Sequence, residues 1–87
     1  MNSYTQPRFW RFYDRLPNDI QRQADAAYQM WRESPYHPSL QFKCVDIQAS
    51  IYSVRVGRSY RALGWRDGDT VTWFWIGDHD EYDRILR

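Results

Sequence analysis

The sequence of 87 residues has a single cysteine and no long apolar run, and both features limit the classes of protein to which it could belong. Cys44 alone allows no intrachain disulfide and no cysteine-based zinc site, which favours a reducing, cytoplasmic setting. No apolar run approaches the roughly 18 residues that a membrane helix needs, and the N-terminus lacks the apolar segment of a secretory signal. We therefore expect a cytoplasmic protein without a membrane association.

The chain is also short and contains no repeats, low-complexity segments or interdomain linker, which predicts one domain over residues 1–87. A domain of this size buries only about 60–65% of the surface of its unfolded chain, so its core is thin. Five Trp, seven Tyr and four Phe compensate, because each buried aromatic side chain removes a large area from water.

The net charge of +1 indicates little by itself, but the charges are unevenly distributed. Residues 40–66 hold five basic side chains and one acid, Asp46, whereas "DHDEYD" (78–83) holds four acids. A basic sheet with an acidic tip would bind a polyanion locally without a strongly basic chain, and a merely solvated strand face is the alternative. The five basic residues are Lys43, Arg55, Arg58, Arg61 and Arg66.

Apolar spacing in the first part of the chain predicts two helices. The first helix places four apolar side chains at i, i+3, i+4 and i+7, with Thr5 as its cap and Pro7 in its first turn. Pro17 closes this helix and starts the second one, which ends before "SPYHPS". The two apolar faces comprise Phe9, Phe12, Tyr13 and Leu16, and then Ile20, Ala24, Ala27, Tyr28 and Trp31.

The apolar period then changes from 3.6 to 2, which predicts strands. Four segments fit: "LQFKCV" (40–45), "IYSVRV" (51–56), "YRALGWR" (60–66) and "TVTWFWI" (70–76). Asp67–Gly68 is a hairpin signal, and Cys44 is expected to pack in the interior. The predicted fold class is α+β: an N-terminal helical hairpin packed on a four-stranded antiparallel sheet. A short C-terminal helix or tail follows, and residues 1–5 could form an edge strand.

The fourth predicted strand is apolar on both faces. Strict alternation puts Trp73 and Trp75 on one face and Phe74 and Ile76 on the other. One face would pack on the helices, and the other needs a cover. The C-terminal tail, a partner protein or stacked bases could each provide it.

Arginines on neighbouring strands are the first candidates for a site. Arg55 and Arg61 flank the "VGRS" turn that carries Arg58, so the three guanidinium groups could converge in a tight hairpin. Arginine binds phosphate through a bidentate fork and would stabilise the charge that grows at a phosphodiester in the transition state. The alternative is a set of surface arginines that stack on Trp and Tyr.

The polar tip after the fourth strand supplies the other candidates. His79 can accept or donate a proton at cellular pH, and Tyr82 follows three residues later. A structural or solvated histidine is the alternative. The acids of "DHDEYD" match no metal-site spacing, so we expect no metal and no other cofactor.

Four segments together resemble the RelE/ParE superfamily of bacterial type II toxins, and most closely its RelE-like and HigB-like members. These segments are "LPNDIQRQADAAYQMW", "HPSLQFK", "YSVRVGRSYRALG" and "WFWIGDHDEYDRIL", and they cover nearly the whole chain. In relatives the histidine often follows the glycine directly, whereas Asp78 intervenes here.

This resemblance implies a RelE-like fold and a metal-independent endoribonuclease that cuts mRNA in the ribosomal A site, neutralised by a cognate antitoxin. It implies that Arg55 and Arg61 stabilise phosphate charge, that His79 protonates the leaving 5′-oxygen, and that Tyr82 stacks on a base or assists proton transfer. Lys43, Arg58 and Arg66 are the predicted RNA-binding residues. Two alternatives stay open: a ParE-like gyrase inhibitor that does not cut RNA, and an inactive relative that only binds antitoxin.

Overall fold

The computed structural model describes residues 1–86, which form helices and strands arranged around one sheet. The elements follow in the order β1 (Asn2–Thr5), α1 (Pro7–Asp14), α2 (Asn18–Glu33), a 3-10 turn (Pro38–Leu40), β2 (Lys43–Asp46), β3 (Ile51–Val56), β4 (Tyr60–Asp67), β5 (Thr70–Asp78) and α3 (His79–Ile85). Within these residues no helix is both long enough and apolar enough to cross a membrane.

The sheet has the strand order β1-β5-β4-β3-β2. Strands β2 to β5 form the antiparallel meander that the sequence predicts, whereas β1 lies parallel to β5 and pairs Asn2 with Thr70. The predicted α+β class is confirmed, and the possible edge strand at residues 1–5 makes the sheet five-stranded and mixed rather than four-stranded and antiparallel. The strand was hard to predict because its four residues are mostly exposed and carry no alternating pattern.

The two N-terminal helices pack mainly on one face of the sheet through the predicted apolar stripes, and Phe12 of α1 also contacts the opposite face. Gln6, and not the predicted Thr5, caps α1, because Thr5 still belongs to β1 and its hydroxyl accepts a hydrogen bond from Trp10 Nε1 at 3.0 Å. We call the buried residues on this side the helix-side core: Leu16, Ala24, Trp31, Leu40, Phe42, Val54, Val56, Ala62, Val71, Trp73 and Ile76.

Strand β2 begins at Lys43, three residues later than the sequence predicts. Pro38 starts a 3-10 turn, and Gln41 then takes a left-handed conformation. Leu40 and Phe42 are buried, but they lie in this turn and just after it, before the strand begins. Their burial two residues apart imitates strand alternation. The prediction that Cys44 packs is wrong: Cys44 is exposed, because β2 is an edge strand of the sheet.

A β-bulge in β5 changes which aromatic side chains share a face. Leu63 of β4 pairs with Trp75 and Gly64 pairs with Trp73, so Phe74 is the extra residue. Trp73 and Ile76 therefore lie in the helix-side core, whereas Phe74 and Trp75 lie on the opposite face. The strict alternation predicted for this strand is wrong at the bulge.

Helix α3 covers the face of the sheet opposite the helix-side core. Its Tyr82 is buried against Leu63, Phe74 and Trp75, and we call these four residues the second-face core. Phe12 of α1 packs at the margin of this core, with its ring centroid 6.3 Å from that of Trp75. The sequence allowed the C-terminal segment, a partner protein or stacked bases to cover this face, and in the structure the C-terminal segment covers it.

Gly64 at the bulge has no room for a side chain. A Cβ atom there would lie 2.7 Å from Val71 Cγ1 and 2.9 Å from Trp73 Cε3. We expect Gly64→Ala to lower the free energy of unfolding by about 1–3 kcal/mol, because both contacts belong to the packed core. Urea denaturation monitored by tryptophan fluorescence measures the change.

Gly68→Asn is the matched control, because Gly68 has φ +59° but open space around it. Asn tolerates the left-handed conformation, so this variant should unfold close to the wild-type midpoint. Equal midpoints for the two variants would contradict tight packing at Gly64.

Candidate functional site

Two arginines lie side by side on the face of the sheet that carries the second-face core. Arg55 of β3 and Arg61 of β4 are paired across the two strands. Lys43 faces the same side, because it pairs with Ser53, which lies two residues before Arg55. The structure thus brings together three of the five basic residues that the sequence singled out.

Arg61 is buried, with only 6% of its surface exposed. Its Nη1 donates to Ser53 Oγ at 3.1 Å, its Nη2 donates to Gln41 Oε1 at 2.6 Å, and its guanidinium carbon lies 5.4 Å from the ring centre of Tyr82. Burial lowers the pKa of Arg61, Tyr82 acts in the opposite direction, and Arg55 lowers it further. The guanidinium nevertheless stays charged at cellular pH, and its hydrogen-bond partners here are neutral.

Arg55 and Arg58 lie at the turn that joins β3 to β4. Arg55 is half-buried, and its Nε donates to the carbonyl oxygen of Gly57 at 2.8 Å. Gly57 has φ +59°, which lets β3 reverse directly into β4. Arg58 follows it in an exposed position. Arg55 and Arg61 are thus adjacent, while Arg58 extends the positive charge into solvent.

The acids of "DHDEYD" build helix α3. Asp78 is the N-cap residue, and its Oδ1 accepts a hydrogen bond from the Glu81 amide at 2.8 Å. Asp80 and Glu81 occupy the first turn, where negative charge is favourable near the helix N-terminus. Asp83 pairs with His79 one turn away. Asp78, Asp80 and Glu81 are therefore placed to stabilise the start of the helix, and Asp83 contacts its first residue, His79.

His79 is the first residue of α3 and lies beside Tyr82. Its backbone N–H donates to the Ser59 carbonyl oxygen at 2.8 Å, which ties the helix to the β3–β4 turn. Its Nδ1 lies 3.2 Å from Asp83 Oδ2, with both side chains about half exposed. The ring centres of His79 and Tyr82 are 5.6 Å apart. Since Tyr82 also contacts Arg61, the Tyr82 ring connects the imidazole to the buried arginine.

Arg66 lies on the other face of the sheet. Its Nη1 donates to Tyr36 Oη at 2.8 Å, and its guanidinium carbon lies 5.0 Å from the ring centre of Tyr52, which packs on the helix-side core. The hydrogen bond with Tyr36 raises the pKa of Arg66. The structure therefore separates Arg66 from Arg55 and Arg61, and its predicted role in RNA binding stays a prediction.

An open apolar groove of about 460 Å³ lies between β1, α1, α2 and the helix-side core. Tyr4, Trp10 and Tyr28 line it and are themselves exposed. Asp25 is a carboxylate among these rings and accepts a hydrogen bond from Tyr13 Oη at 2.7 Å. Burial and this carboxylate raise the pKa of Tyr13 to about 12. The arrangement suits an apolar partner surface with a polar contact at Asp25.

Sequence reasoning missed three features of these sites. Neither Ser53, which is fully buried beneath Arg61, nor Gln41 was among the candidate residues from the sequence. A signal for Ser53 was its position two residues before Arg55 on the same strand. A signal for the groove was Trp10, an aromatic residue outside the apolar stripe of α1.

The sequence matches a family model. Residues 18–84 match the ParE-like toxin domain, which is most of the chain. A comparison with curated proteins gives no significant match.

Solved structures share the fold over nearly the full length. The chain is similar to one in the RelB–RelE antitoxin–toxin complex from Methanococcus jannaschii, with TM-score 0.75, 16% identity and coverage of 97% of this chain and 99% of that chain. It is also similar to the YoeB/ParE toxin from Agrobacterium tumefaciens, with TM-score 0.68, 13% identity and coverage of 91% of this chain and 99% of that chain. A chain of the RelBE2 toxin–antitoxin complex from Mycobacterium tuberculosis is similar as well, with TM-score 0.61, 22% identity and coverage of 90% of this chain and 96% of that chain.

Substitution of Asp78 tests whether its side chain stabilises the start of α3. We expect Asp78→Ala to weaken the start of α3 by about 1 kcal/mol, because the Glu81 amide loses its acceptor. Faster hydrogen exchange at the Glu81 amide reports this loss. Asp78→Asn keeps a side-chain acceptor and should retain most of the protection, so equal exchange in both variants would contradict a capping role.

Proposed function

Because the chain belongs to the ParE-like toxin domain family and has the RelE/ParE fold, we propose that this toxin is a ribosome-dependent mRNA endoribonuclease. As the toxin of a toxin–antitoxin system, it would act on the mRNA of translating ribosomes and be neutralised by a cognate antitoxin. The observation that carries the proposal is a buried arginine with neutral hydrogen-bond partners, adjacent to a second arginine and close to Tyr82, which contacts an accessible histidine.

The buried charge of Arg61 argues for an anionic ligand. Removing a charge from water is costly unless an opposite charge or several hydrogen bonds compensate. Ser53 and Gln41 supply hydrogen bonds but no negative charge, and Arg55 adds a second positive charge next to the first. A phosphodiester would provide the missing negative charge, because a guanidinium binds two phosphate oxygens through its fork.

The site supplies the groups that an internal phosphoryl transfer needs. The ribose 2′-oxygen attacks the adjacent phosphorus, its proton passes to water, and the bond from phosphorus to the 5′-oxygen breaks. Arg61 and Arg55 would stabilise the charge that develops on the phosphoryl oxygens. His79 would donate a proton to the leaving 5′-oxygen. The products are a cyclic phosphate and a free 5′-hydroxyl, and no metal is required.

Tyr82 and the outer basic residues have supporting roles in this proposal. The Tyr82 ring packs against Arg61 and next to His79 and is only 8% exposed, so its proposed role is to position these two side chains and not to stack on a base. Lys43 and Arg58 extend the positive surface on the same side and at the adjoining turn, where phosphate contacts strengthen RNA binding. Arg66 lies on the other face, so a contact there requires RNA or ribosome that reaches around the β2 edge.

Substitutions at the two central residues test the nuclease. We expect Arg61→Ala to lower mRNA cleavage by about 10²–10³-fold, as when one charge-stabilising donor is lost. We expect His79→Ala to lower it by about 10²–10⁴-fold through loss of the general acid. Primer extension on a translated message, after expression without antitoxin, measures both effects together with growth arrest.

Arg22→Ala is the control, because it removes the same charge from an exposed position on α2. It should leave cleavage unchanged. Growth arrest with intact mRNA and damaged DNA would instead favour the gyrase-directed alternative. A soluble wild-type protein without any growth effect would favour the inactive relative.

The groove between β1, α1 and α2 is the surface proposed for the antitoxin. Two of the similar structures are themselves complexes of a toxin with its antitoxin. The second face, where the sequence allowed a partner, is occupied by α3, whereas the groove presents Tyr4, Trp10 and Tyr28 to solvent. An amphipathic antitoxin helix with an apolar face and a basic residue opposite Asp25 fits this surface.

Trp10→Asp tests this assignment. We expect it to raise the Kd for the antitoxin about tenfold or more, since a central aromatic side chain commonly contributes about 2 kcal/mol to an interface. Isothermal titration calorimetry measures the affinity. Ile47→Asp is the matched control, because Ile47 is 87% exposed in the β2–β3 turn outside the groove. Equal losses for both variants would rule the groove out as the principal contact.

A further inference from the structure

Gln41 has a backbone conformation that its residue type rarely adopts. It follows the 3-10 turn with φ 45° and ψ 46°, in the left-handed region. There a Cβ atom crowds the backbone, and Gln lacks the short polar side chain that makes the region easier for Asn and Asp. In residues 1–86 the only other non-glycine residue with positive φ is Ser50, at φ 56° in the β2–β3 turn.

The side chain of Gln41 crosses to the buried arginine. Its Oε1 lies 2.6 Å from Arg61 Nη2, although the two residues are 20 positions apart in sequence. Ser53 Oγ binds the other terminal nitrogen at 3.1 Å. A short hydrogen bond to a charged donor is among the stronger ones in proteins, and two of them on different nitrogens fix the plane of the guanidinium.

The two contacts use only part of the hydrogen-bonding capacity of Arg61. A guanidinium carries five N–H donors, and within residues 1–86 Gln41 and Ser53 accept from two of them, which leaves about three without a protein acceptor in that range. The neutral amide oxygen orients the group without cancelling its charge, which a carboxylate at the same place would do. Strained backbone of this kind persists where the surrounding structure requires it, and it is concentrated at functional sites.

We propose that Gln41 is a positioning residue for Arg61, and that its left-handed backbone is retained because it places Oε1 on the guanidinium. The role in catalysis rests on the proposed nuclease function, whereas the orientation of Arg61 can be tested without it. Gln41 itself does not touch the reacting atoms. It acts by holding the remaining donors of Arg61 in one direction, where the phosphate is bound.

Two substitutions at this position separate positioning from stability. Gln41→Ala removes the hydrogen bond and keeps the unfavourable backbone, whereas Gln41→Gly removes the hydrogen bond and relieves the backbone as well. Gln41→Gly should therefore unfold at a higher temperature than Gln41→Ala. Both should lower kcat for cleavage of ribosome-bound mRNA to the same extent, by about tenfold to a hundredfold, because a misplaced group loses that much rate.

Ser50→Ala and Ser50→Gly are the matched controls. Ser50 also has a positive φ, of 56°, but lies at the opposite end of β3 from Arg55 and its partner Arg61. The glycine variant should again be the more stable of the two, and neither should change kcat. If activity at position 41 follows stability, so that Gln41→Gly cleaves better than Gln41→Ala, the residue acts through the fold alone and the proposal is overturned.

Nuclear magnetic resonance of Arg61 gives a readout independent of activity. With both terminal nitrogens bound, rotation of the guanidinium is slow, and Nη1 and Nη2 should give separate signals in the wild type. In both Gln41 variants the signals should merge, while the Ser50 variants keep them separate. Separate signals in Gln41→Gly would overturn the proposal. If the wild type shows separate signals but cleaves no mRNA, the nuclease function is wrong and the positioning of Arg61 stands.

Discussion

Strand β5 needs cover on both of its faces, and the arrangement of the site follows from that constraint. Its aromatic and aliphatic side chains divide between the helix-side core and the second-face core. Helices α1 and α2 cover the first face. The second face is closed by α3, whose Tyr82 is buried there. Because this helix starts directly at the end of β5, its packing on the second face also brings His79 and Tyr82 to the side of the sheet where Arg61 lies.

The β-bulge at Phe74 adapts one strand to two cores. Without an extra residue, Trp73 and Trp75 would point to the same side. The bulge instead turns Phe74 and Trp75 together toward α3, while Trp73 and Ile76 stay with the helices. The same apolar segment can then anchor both layers of the domain. A thin domain gains from this use of aromatic residues, since each one removes a large area from water.

The candidate site combines a buried arginine with a more exposed histidine. Arg61 is held by two side chains from different parts of the chain, and within residues 1–86 its hydrogen-bond partners are the neutral side chains of Ser53 and Gln41. His79 lies at the accessible start of a short helix, and Asp83 contacts one of its ring nitrogens. The acidic tip thus has a structural explanation. Its carboxylates cap and stabilise the helix that carries the histidine.

Local sequence patterns were enough to predict the fold class and most of the helices and strands. Apolar periods of 3.6 and then 2 predicted the helical hairpin and the antiparallel meander, because burial of one face imposes these spacings. The register between β3 and β4 followed from a short turn at Gly57, so the pairing of Arg55 with Arg61 was within reach of the sequence. The family resemblance named the same arginines and His79.

The remaining features depend on tertiary contacts. The bulge at Phe74, the parallel pairing of β1 and the late start of β2 depend on contacts between distant segments, which no local period encodes. The contact from Gln41 to Arg61 joins positions 20 residues apart through a backbone conformation that the residue type disfavours. Local propensity can reveal where a chain packs, but a strained residue that serves a distant side chain becomes visible only when the two are brought together.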